Sequence, residues 1–243
     1  QSANYRIPTA IHTHGFVTVD GQKMSKSRGT FIKAQTYLSH LAAEYLRYYY
    51  ATKLGDNLED IDLNWRDFRL RINADLIGKY INIASRCAGF INKKFAGMLG
   101  QSLELPTLFQ EFSNAADTIA AYYERREFGR AMREIMQLAN QANQYIAQQE
   151  PWVIAKDETQ LPRVQAVCTM GLNLFRLLTI YLKPVLPELA TKVEAFFDIA
   201  PLTWQDHQHA LLNHKIKKFK PLMQRIDEEQ LLALKTATEN ESY

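Results

Sequence analysis

The chain has 243 residues, of which 47% are hydrophobic and 23% are charged, a composition typical of a globular protein and not of a disordered or fibrous one. Lys and Arg number 29 against 26 Asp and Glu, so the formal net charge of +3 permits an anionic partner without requiring one. The two cysteines, Cys87 and Cys168, form no CxxC pair, which argues against a zinc site and favours a reduced, cytoplasmic protein.

The N-terminus predicts a fragment of a longer protein. No apolar run reaches the roughly 20 residues that a membrane-spanning helix needs, and no signal peptide is recognisable, so we expect no membrane partner. The chain begins with Gln1, and its first residues have strand-like composition without the partner strands that a sheet requires. We therefore expect it to start inside a sheet-containing domain.

Residues 11–24 predict a short β-hairpin, because they alternate polar and apolar side chains and Asp20-Gly21 suits a two-residue turn. From Ala34 onward the periodicity is helical, and few of the 10 glycines and 8 prolines interrupt it. The predicted helices cover residues 36–53, 65–99, 106–123, 127–149, 161–182, 184–197 and 226–239. The expected fold is mainly α, a helical bundle preceded by a short hairpin.

An acidic segment, "LGDNLEDIDLN" at residues 54–64, is the expected connector between the hairpin-bearing piece and the bundle. We place the domain limit within it. The predicted domains are residues 1–60, which carry the hairpin and a connecting helix, and residues 61–243, which carry the bundle and a C-terminal return segment.

Directly after the hairpin turn, residues 19–30 read "VDGQKMSKSRGT". Lys23, Ser25, Lys26 and Ser27 place ammonium and hydroxyl donors on a loop without a helical frame. Lysines on such a loop are mobile point charges that suit a polyphosphate. A K-x-x-K pair by itself is more typical of a solvated basic loop.

The long predicted helix has two different faces. At 100° per residue one arc is apolar and the opposite arc is polar. The apolar arc holds Leu76, Ile77, Tyr80, Ile83, Ala84, Cys87, Ala88 and Ile91, and the polar arc holds Arg71, Asp75, Gly78, Asn82, Arg86, Gly89 and Lys93. Glycine inside a helix costs about 1 kcal/mol relative to alanine, so Gly78 and Gly89 leave unusual bare positions beside Asn82 and Arg86. An amide and a guanidinium there suit an unstacked RNA base, although on residue types alone an ordinary polar helix face is the commoner explanation.

A candidate aromatic platform follows the polar helix 127–149, in "EPWVIAK". Pro151 ends the helix, and Trp152 comes directly after it. A tryptophan in this position is more often a core residue than a binding residue.

Two sequence motifs resemble those of a known family. "KMSKS" at residues 23–27 resembles the second signature of class I aminoacyl-tRNA synthetases. "HGFVTVDGQKMSKSRGTFI" followed by "LRYYYATKLGDNLEDIDLNWRDF" is similar to the methionyl-tRNA synthetase family, and the similarity covers essentially the whole chain. It implies the end of the catalytic nucleotide-binding domain followed by the helical anticodon-binding domain. The family's HIGH-type signature, methionine pocket and zinc-bearing insertion are absent, since "HTHG" at 12–15 is not the HIGH-type sequence, so we expect no catalysis from this chain alone.

The resemblance also implies roles for the loop. Lys23 and Lys26 would be the catalytic cations, and Met24, Ser25 and Ser27 would complete the ATP-binding loop. In the full enzyme ATP, with Mg²⁺, and methionine would be the substrates. No metal site is expected in this segment.

For the bundle, the resemblance implies that Asn82 and Arg86 recognise the first anticodon base, a cytosine, while Pro151 and Trp152 pack against the anticodon and the indole stacks on that base. The implied partner is the anticodon stem-loop of tRNA(Met), with the anticodon CAU. Because no appended dimerisation domain follows the bundle, we expect a monomer.

Two other functions stay open. A leucyl, isoleucyl, valyl or cysteinyl relative would share the loop and a bundle, although the joint presence of Asn82, Arg86 and Pro151-Trp152 argues against these. A non-catalytic helical RNA-binding or interaction module that merely retains the loop is the alternative from a different class.

Overall fold

The computed structural model describes residues 6–25 and 30–240, and these residues form a mainly α-helical protein with one small sheet, as predicted. The strands are β1 (Val17–Val19), β2 (Gln22–Lys23) and β3 (Ile61–Leu63). The helices are α1 (Ala34–His40), α2 (Ala43–Lys53), α3 (Trp65–Arg71), a π-helical segment (Ile72–Ile81), α4 (Asn82–Lys94), α5 (Pro106–Glu124), α6 (Phe128–Gln149), α7 (Pro151–Ile154), α8 (Leu161–Leu182), α9 (Pro187–Phe197) and α10 (Glu228–Asn240). Two 3₁₀ turns, Glu158–Gln160 and Trp204–Gln208, lie beside α8 and α9.

The predicted hairpin is confirmed. β1 pairs with β2 in antiparallel fashion across Asp20 and Gly21, whose φ angles of 46° and 76° are the left-handed values that a two-residue turn needs. β1 also pairs with β3 in parallel fashion. Asp62 on β3 holds the turn, because one of its carboxylate oxygens accepts hydrogen bonds from Thr18 Oγ1 at 2.7 Å and from the amide of Gly21 at 2.8 Å.

The acidic segment 54–64 is therefore more than a connector. Its last residues form β3 and belong to the same sheet as the hairpin. A local sequence pattern could not show this, because β3 finds its partner about 40 residues earlier in the chain. The domain limit after residue 60 stays a prediction. Strand β3 begins at the next residue, Ile61.

Helix α8 is the centre of the bundle, with α4, α5, α6 and α9 packed around it. By length and composition alone, residues 158–182 are apolar enough to cross a membrane, contrary to the expectation that no segment would be. However, 89% of this apolar window is buried inside the protein, so the segment is the core helix of the bundle.

Two predicted helices differ from the observed ones. The helix expected at 36–53 is interrupted at Leu41 and Ala42, which are extended. Ser39 Oγ and His40 Nδ1 both lie within 2.9 Å of the Thr36 carbonyl oxygen and compete for it at the end of α1. The helix expected at 65–99 ends at Lys94, and its middle ten residues are π-helical.

Helices α4 and α8 approach each other closely at Cys87 and Gly171. A Cβ atom at Gly171 would lie 2.6 Å from Cys87 Sγ, so only glycine permits this contact. Cys87 and Cys168 are both buried and free. They are far apart in sequence but adjacent in the structure. A hydrogen bond with Cys87, together with burial, raises the pKa of the Cys168 thiol.

Helix α2 attaches the N-terminal piece to the bundle. The buried Glu44 accepts hydrogen bonds from the amides of Glu188 and Leu189, the first free amides of α9. Arg47 Nε donates to the carbonyl of Val185 at 2.8 Å, just beyond the end of α8. The C-terminal helix α10 packs on α1.

Candidate nucleic-acid interface

The π segment and α4 form one continuous helix with a buried and an open face. Most of the apolar arc is fully buried, as predicted, including Tyr80, Ile83 and Cys87. On the other face Asn82 and Arg86 are half-buried, and Gly78 and Gly89 are exposed. A Cβ atom at Gly89 would have no neighbour within 4 Å, so the surface beside Arg86 is open.

Trp152 reaches this face from α7, directly after the end of α6. Helix α6 ends at Gln149, the next residue Glu150 turns the chain with a φ of 45°, and Pro151 starts the short helix α7. Pro151 is buried, whereas the Trp152 side chain is 38% exposed. The more common expectation, a core tryptophan, is therefore wrong here.

Arg86 and Trp152 are in direct contact, although they lie 66 positions apart in the sequence. The central guanidinium carbon of Arg86 is 4.7 Å from the centre of the indole ring, a cation–π distance. Asn82 precedes Arg86 by four residues and shares its helix face. The structure thus brings Asn82, Arg86 and Trp152 to one place, which we call the base slot.

A residue that sequence analysis did not single out, Asn143 on α6, fixes the base slot. Its Oδ1 accepts from Asn82 Nδ2 at 3.0 Å, and its backbone carbonyl accepts from Arg86 Nη1 at 3.4 Å. Its own Nδ2 donates to the carbonyls of Lys79 and Ala139, both at 2.9 Å. Asn143 therefore connects α6 to both recognition residues.

The loop after the hairpin is described only in part. Lys23 is exposed at the end of β2, and Met24 is half-buried against the core. Thr30 ties the two ends of the loop together, since its Oγ1 accepts from the amide of Ser25 and donates to the carbonyl of Lys23, both at 2.9 Å. Lys26 and Ser27 lie outside the described residues.

Two family models match the chain. One, described as tRNA synthetases class I (M), matches residues 1–88. The other, described as the anticodon binding domain of methionyl tRNA ligase, matches residues 97–236, more than half of the sequence. The chain belongs to the methionyl-tRNA synthetase family. The base slot draws residues from both matched regions, because Asn82 and Arg86 precede residue 88 while Trp152 lies in the second match.

Solved structures of this family share the fold. The methionyl-tRNA synthetase of Mycobacterium tuberculosis in complex with methionyl-adenylate superposes with a TM-score of 0.74 at 21% identity, covering 86% of this chain and 43% of that chain. The apo form of the same enzyme gives a TM-score of 0.76 at 19% identity, covering 93% of this chain and 45% of that chain. The chain therefore spans less than half the length of these methionyl-tRNA synthetases.

No cluster of three or more His, Cys, Asp or Glu side chains that could hold a metal ion occurs within residues 6–25 and 30–240. The aromatic run Tyr48-Tyr49-Tyr50 belongs largely to the hydrophobic core, since Tyr48 and Tyr49 are fully buried.

Proposed function

We propose that the chain is part of a methionine–tRNA ligase. The full-length protein would activate methionine with ATP, with Mg²⁺ as the accompanying ion, and transfer the methionyl group to tRNA(Met). The chain itself would supply the KMSKS loop and bind the CAU anticodon. Membership of the methionyl-tRNA synthetase family supports this over a leucyl, isoleucyl, valyl or cysteinyl enzyme.

The observation that carries the anticodon proposal is the contact of Arg86 with the half-open indole of Trp152 on the face that holds Asn82. An unstacked base can lie on the exposed part of the indole, with the neighbouring Pro151 completing the pocket. Cytosine offers an amino donor beside ring acceptors. The carbonyl oxygen of the Asn82 amide can accept from that amino group, and the free guanidinium N–H groups of Arg86 can donate to the acceptors.

The loop completes the proposal. Lys23 and Lys26 would stabilise the negative charge that develops on the phosphates when pyrophosphate leaves, and Met24, Ser25 and Ser27 would line the ATP. Charge placed where it develops in the transition state lowers the barrier most effectively. The hydrogen bonds of Thr30 support this role, because they fix both ends of the loop that carries these residues.

We also propose an oligomeric state, a location and a domain division for the chain. The chain would act as a monomer in the cytoplasm, with residues 1–60 belonging to the catalytic domain and residues 61–243 to the anticodon-binding domain. On its own it would not aminoacylate tRNA, because methionine binding and the rest of the ATP site would come from the missing part of the protein.

The test is a titration of the chain with anticodon stem-loops that differ only at the first anticodon base. We expect the CAU stem-loop to bind most tightly. Trp152→Ala should weaken that binding about tenfold or more, because base stacking on an aromatic ring contributes about 1–3 kcal/mol. Trp152→Phe should retain most of the affinity.

Val153→Ala is the matched control, since Val153 is the exposed neighbour of Trp152 and lies outside the base slot. All titrations use one salt concentration, because RNA affinity varies with salt. An unchanged affinity of Trp152→Ala would exclude Trp152 as the platform. Equal affinity for cytosine and uracil at the first position would exclude selection of cytosine by Asn82 and Arg86. Equal binding of leucine or valine anticodons would exclude the methionyl assignment of the slot.

A further inference from the structure

The side-chain amide of Asn143 has one defined orientation, because its neighbours differ in what they can donate or accept. Its Nδ2 donates to the carbonyl oxygens of Lys79 and Ala139, both at 2.9 Å. A carbonyl oxygen can only accept, so the nitrogen end of the Asn143 amide must face these two groups. In the opposite orientation Asn143 Oδ1 would meet two other oxygens, and both hydrogen bonds would be lost. The oxygen end of Asn143 is therefore directed to the other side, where it meets Asn82.

The orientation of Asn143 determines the orientation of the Asn82 amide. Asn143 Oδ1 can only accept, and it accepts from Asn82 Nδ2 at 3.0 Å. If the Asn82 amide turned over, its own Oδ1 would face the oxygen of Asn143, and the hydrogen bond would be replaced by a contact of two acceptors. The nitrogen end of Asn82 thus stays on Asn143. In the part of the chain that the structure describes, Asn82 Oδ1 at the other end accepts no hydrogen bond.

The orientation of an asparagine amide decides which base edge it can pair with. An amide that is free to turn offers a ligand either its oxygen or its nitrogen, so it pairs with an amino group and with a carbonyl group alike. Cytosine carries an amino donor at C4, where uracil carries a carbonyl acceptor. An Asn82 amide held with its oxygen toward the slot pairs with the first and not with the second.

Arg86 does not supply this discrimination by itself. A guanidinium only donates, and uracil offers two carbonyl oxygens that can accept from it. Arg86 Nη1 is also directed to the backbone carbonyl of Asn143 at 3.4 Å, so it is the Asn82 oxygen that remains as the acceptor in the slot. Rejection of uracil therefore depends on the direction in which that oxygen points.

We propose that Asn143 is a positioning residue that makes the base slot selective for cytosine over uracil, because it holds the Asn82 oxygen toward the base. The inference rests on the proposed function, since it requires the first anticodon base to lie against Asn82. Asn143 itself does not touch the base. Opposite uracil, the fixed Asn82 oxygen faces the O4 carbonyl, and two polar groups that lose water without gaining a partner lower the affinity.

The test uses three stem-loops that are identical except for the first anticodon base, which is cytosine, uracil or pyrimidin-2-one. Pyrimidin-2-one is cytosine without the amino group, so it neither donates nor accepts at C4. Its affinity measures general damage to the slot. The affinity for uracil relative to pyrimidin-2-one measures the orientation of the Asn82 amide.

The proteins compared are the wild type, Asn143→Ala and Asn143→Ser, all titrated at one salt concentration. Both substitutions remove the oxygen that holds Asn82. A serine hydroxyl can still donate to the Ala139 carbonyl four residues earlier on α6, so Asn143→Ser retains part of the stabilising contact if Asn143→Ala does not fold.

We expect the wild type to bind cytosine most tightly and uracil more weakly than pyrimidin-2-one. In both Asn143 variants uracil should bind roughly fivefold more tightly than in the wild type, because the freed amide can turn and donate to O4. Cytosine should bind roughly twofold more weakly, since the amide is no longer fixed before binding. Pyrimidin-2-one should bind as before. Loss of a purely structural contact would instead weaken all three stem-loops alike.

A second substitution tests whether amide rotation is the cause. Asn82→Asp in the Asn143→Ala background replaces the amide by a carboxylate, which presents an oxygen whichever way it turns. Uracil should then bind more weakly than pyrimidin-2-one again, although Asn143 is absent. Gln144→Ala, at an exposed position on α6, should retain the wild-type affinity for all three stem-loops.

The two proposals fail in different ways. If the wild type prefers cytosine but binds uracil as tightly as pyrimidin-2-one, or if the uracil ratio stays unchanged in the Asn143 variants, the role of Asn143 is excluded and the base slot stands. An equal gain for uracil in Gln144→Ala, or a gain that persists in the double variant, also excludes it. If the wild type binds all three stem-loops equally, selection of cytosine fails, and the role of Asn143 fails with it.

Discussion

Asn143 decides how well the base slot is formed before any ligand arrives. Arg86 has a long, flexible side chain, and Asn82 sits on a helix face with room around it. Hydrogen bonds from both to Asn143 restrict them to one arrangement. Restriction of recognition groups before binding reduces the entropy lost on binding. We therefore treat Asn143 as a positioning residue that acts through Asn82 and Arg86.

Asn143→Ala should reduce the preference for cytosine over uracil at the first anticodon position by roughly tenfold, because it removes the partner of Asn82. It should also lower the free energy of unfolding by about 1–3 kcal/mol, since the Lys79 and Ala139 carbonyls lose a donor. The ratio of the two Kd values measures the first effect and urea denaturation the second.

Gln144→Ala is the control for this substitution, because Gln144 is the exposed neighbour on α6 and makes no described side-chain contact. It should change neither quantity appreciably. If Asn143→Ala loses stability but keeps the full base preference, Asn143 supports the fold alone and has no role in recognition.

Part of the base slot was predictable at the level of single residues. Helical periodicity places Asn82 and Arg86 on one face that also carries two glycines, but only the family resemblance implies that this pair recognises a base. Asn143 was not found, because α6 carries a run of similar amides that includes Asn140, Gln141 and Gln144. Only the packing of α6 against the π segment determines which of these amides meets Asn82.

At the scale of elements, the π segment is the unpredicted feature that lies nearest to the base slot. With 100° per residue, Ile77 was expected on the buried arc. In the structure Ile77 is half-buried, while Ile81, which was not assigned to that arc, is 7% exposed. The wider turns of a π helix shift the face of the helix, and this choice depends on tertiary packing. The segment ends directly before Asn82, so it sets the direction in which the recognition residues face.

The open side of α4 leads to a prediction about Gly89. An alanine Cβ there would meet no atom within 4 Å, so Gly89→Ala should raise the free energy of unfolding by about 1 kcal/mol through helix propensity alone. If an RNA base uses the space beside Arg86, the same variant should bind the CAU stem-loop severalfold more weakly. Urea denaturation and titration measure the two effects separately.

Gly78→Ala is the comparison for Gly89→Ala. A Cβ atom at Gly78 would lie 3.2 Å from the Asn73 carbonyl, so the gain in stability should be smaller. If Gly89→Ala gains stability without any loss of RNA affinity, the space beside Arg86 is not part of the RNA contact.

At the scale of the whole molecule, α2 connects the sheet-bearing piece to the bundle through two helix ends. Glu44 places a carboxylate on the amides at the start of α9, and Arg47 places a cation on the carbonyls after α8. Both charges match the dipole of the helix end that they contact. The helices themselves were predictable from periodicity, but this junction joins residues more than 130 positions apart and has no local sequence signal.

Burial raises the pKa of Glu44 above its ordinary 4.5, because desolvation outweighs the hydrogen bonds from the amides of Leu189 and Glu188. The folded protein therefore holds this proton more tightly than the unfolded chain does. As the pH rises from 4.5 through the raised pKa, the contribution of Glu44 to stability decreases, and above that pKa it stays constant. Glutamine keeps an acceptor oxygen for both amides and does not titrate.

Relative to the wild type, Glu44→Gln should therefore gain stability as the pH rises through this window, whereas Glu44→Ala should lose about 1–3 kcal/mol at neutral pH because two helix amides are left without a partner. Urea denaturation of the three proteins at a series of pH values measures both effects. Thr191→Ala on the exposed side of α9 controls for general weakening of that helix. A constant difference between wild type and Glu44→Gln across the series would show that Glu44 keeps its ordinary pKa in the folded protein. Equal stability of Glu44→Ala and the wild type would show that the junction does not depend on this carboxylate.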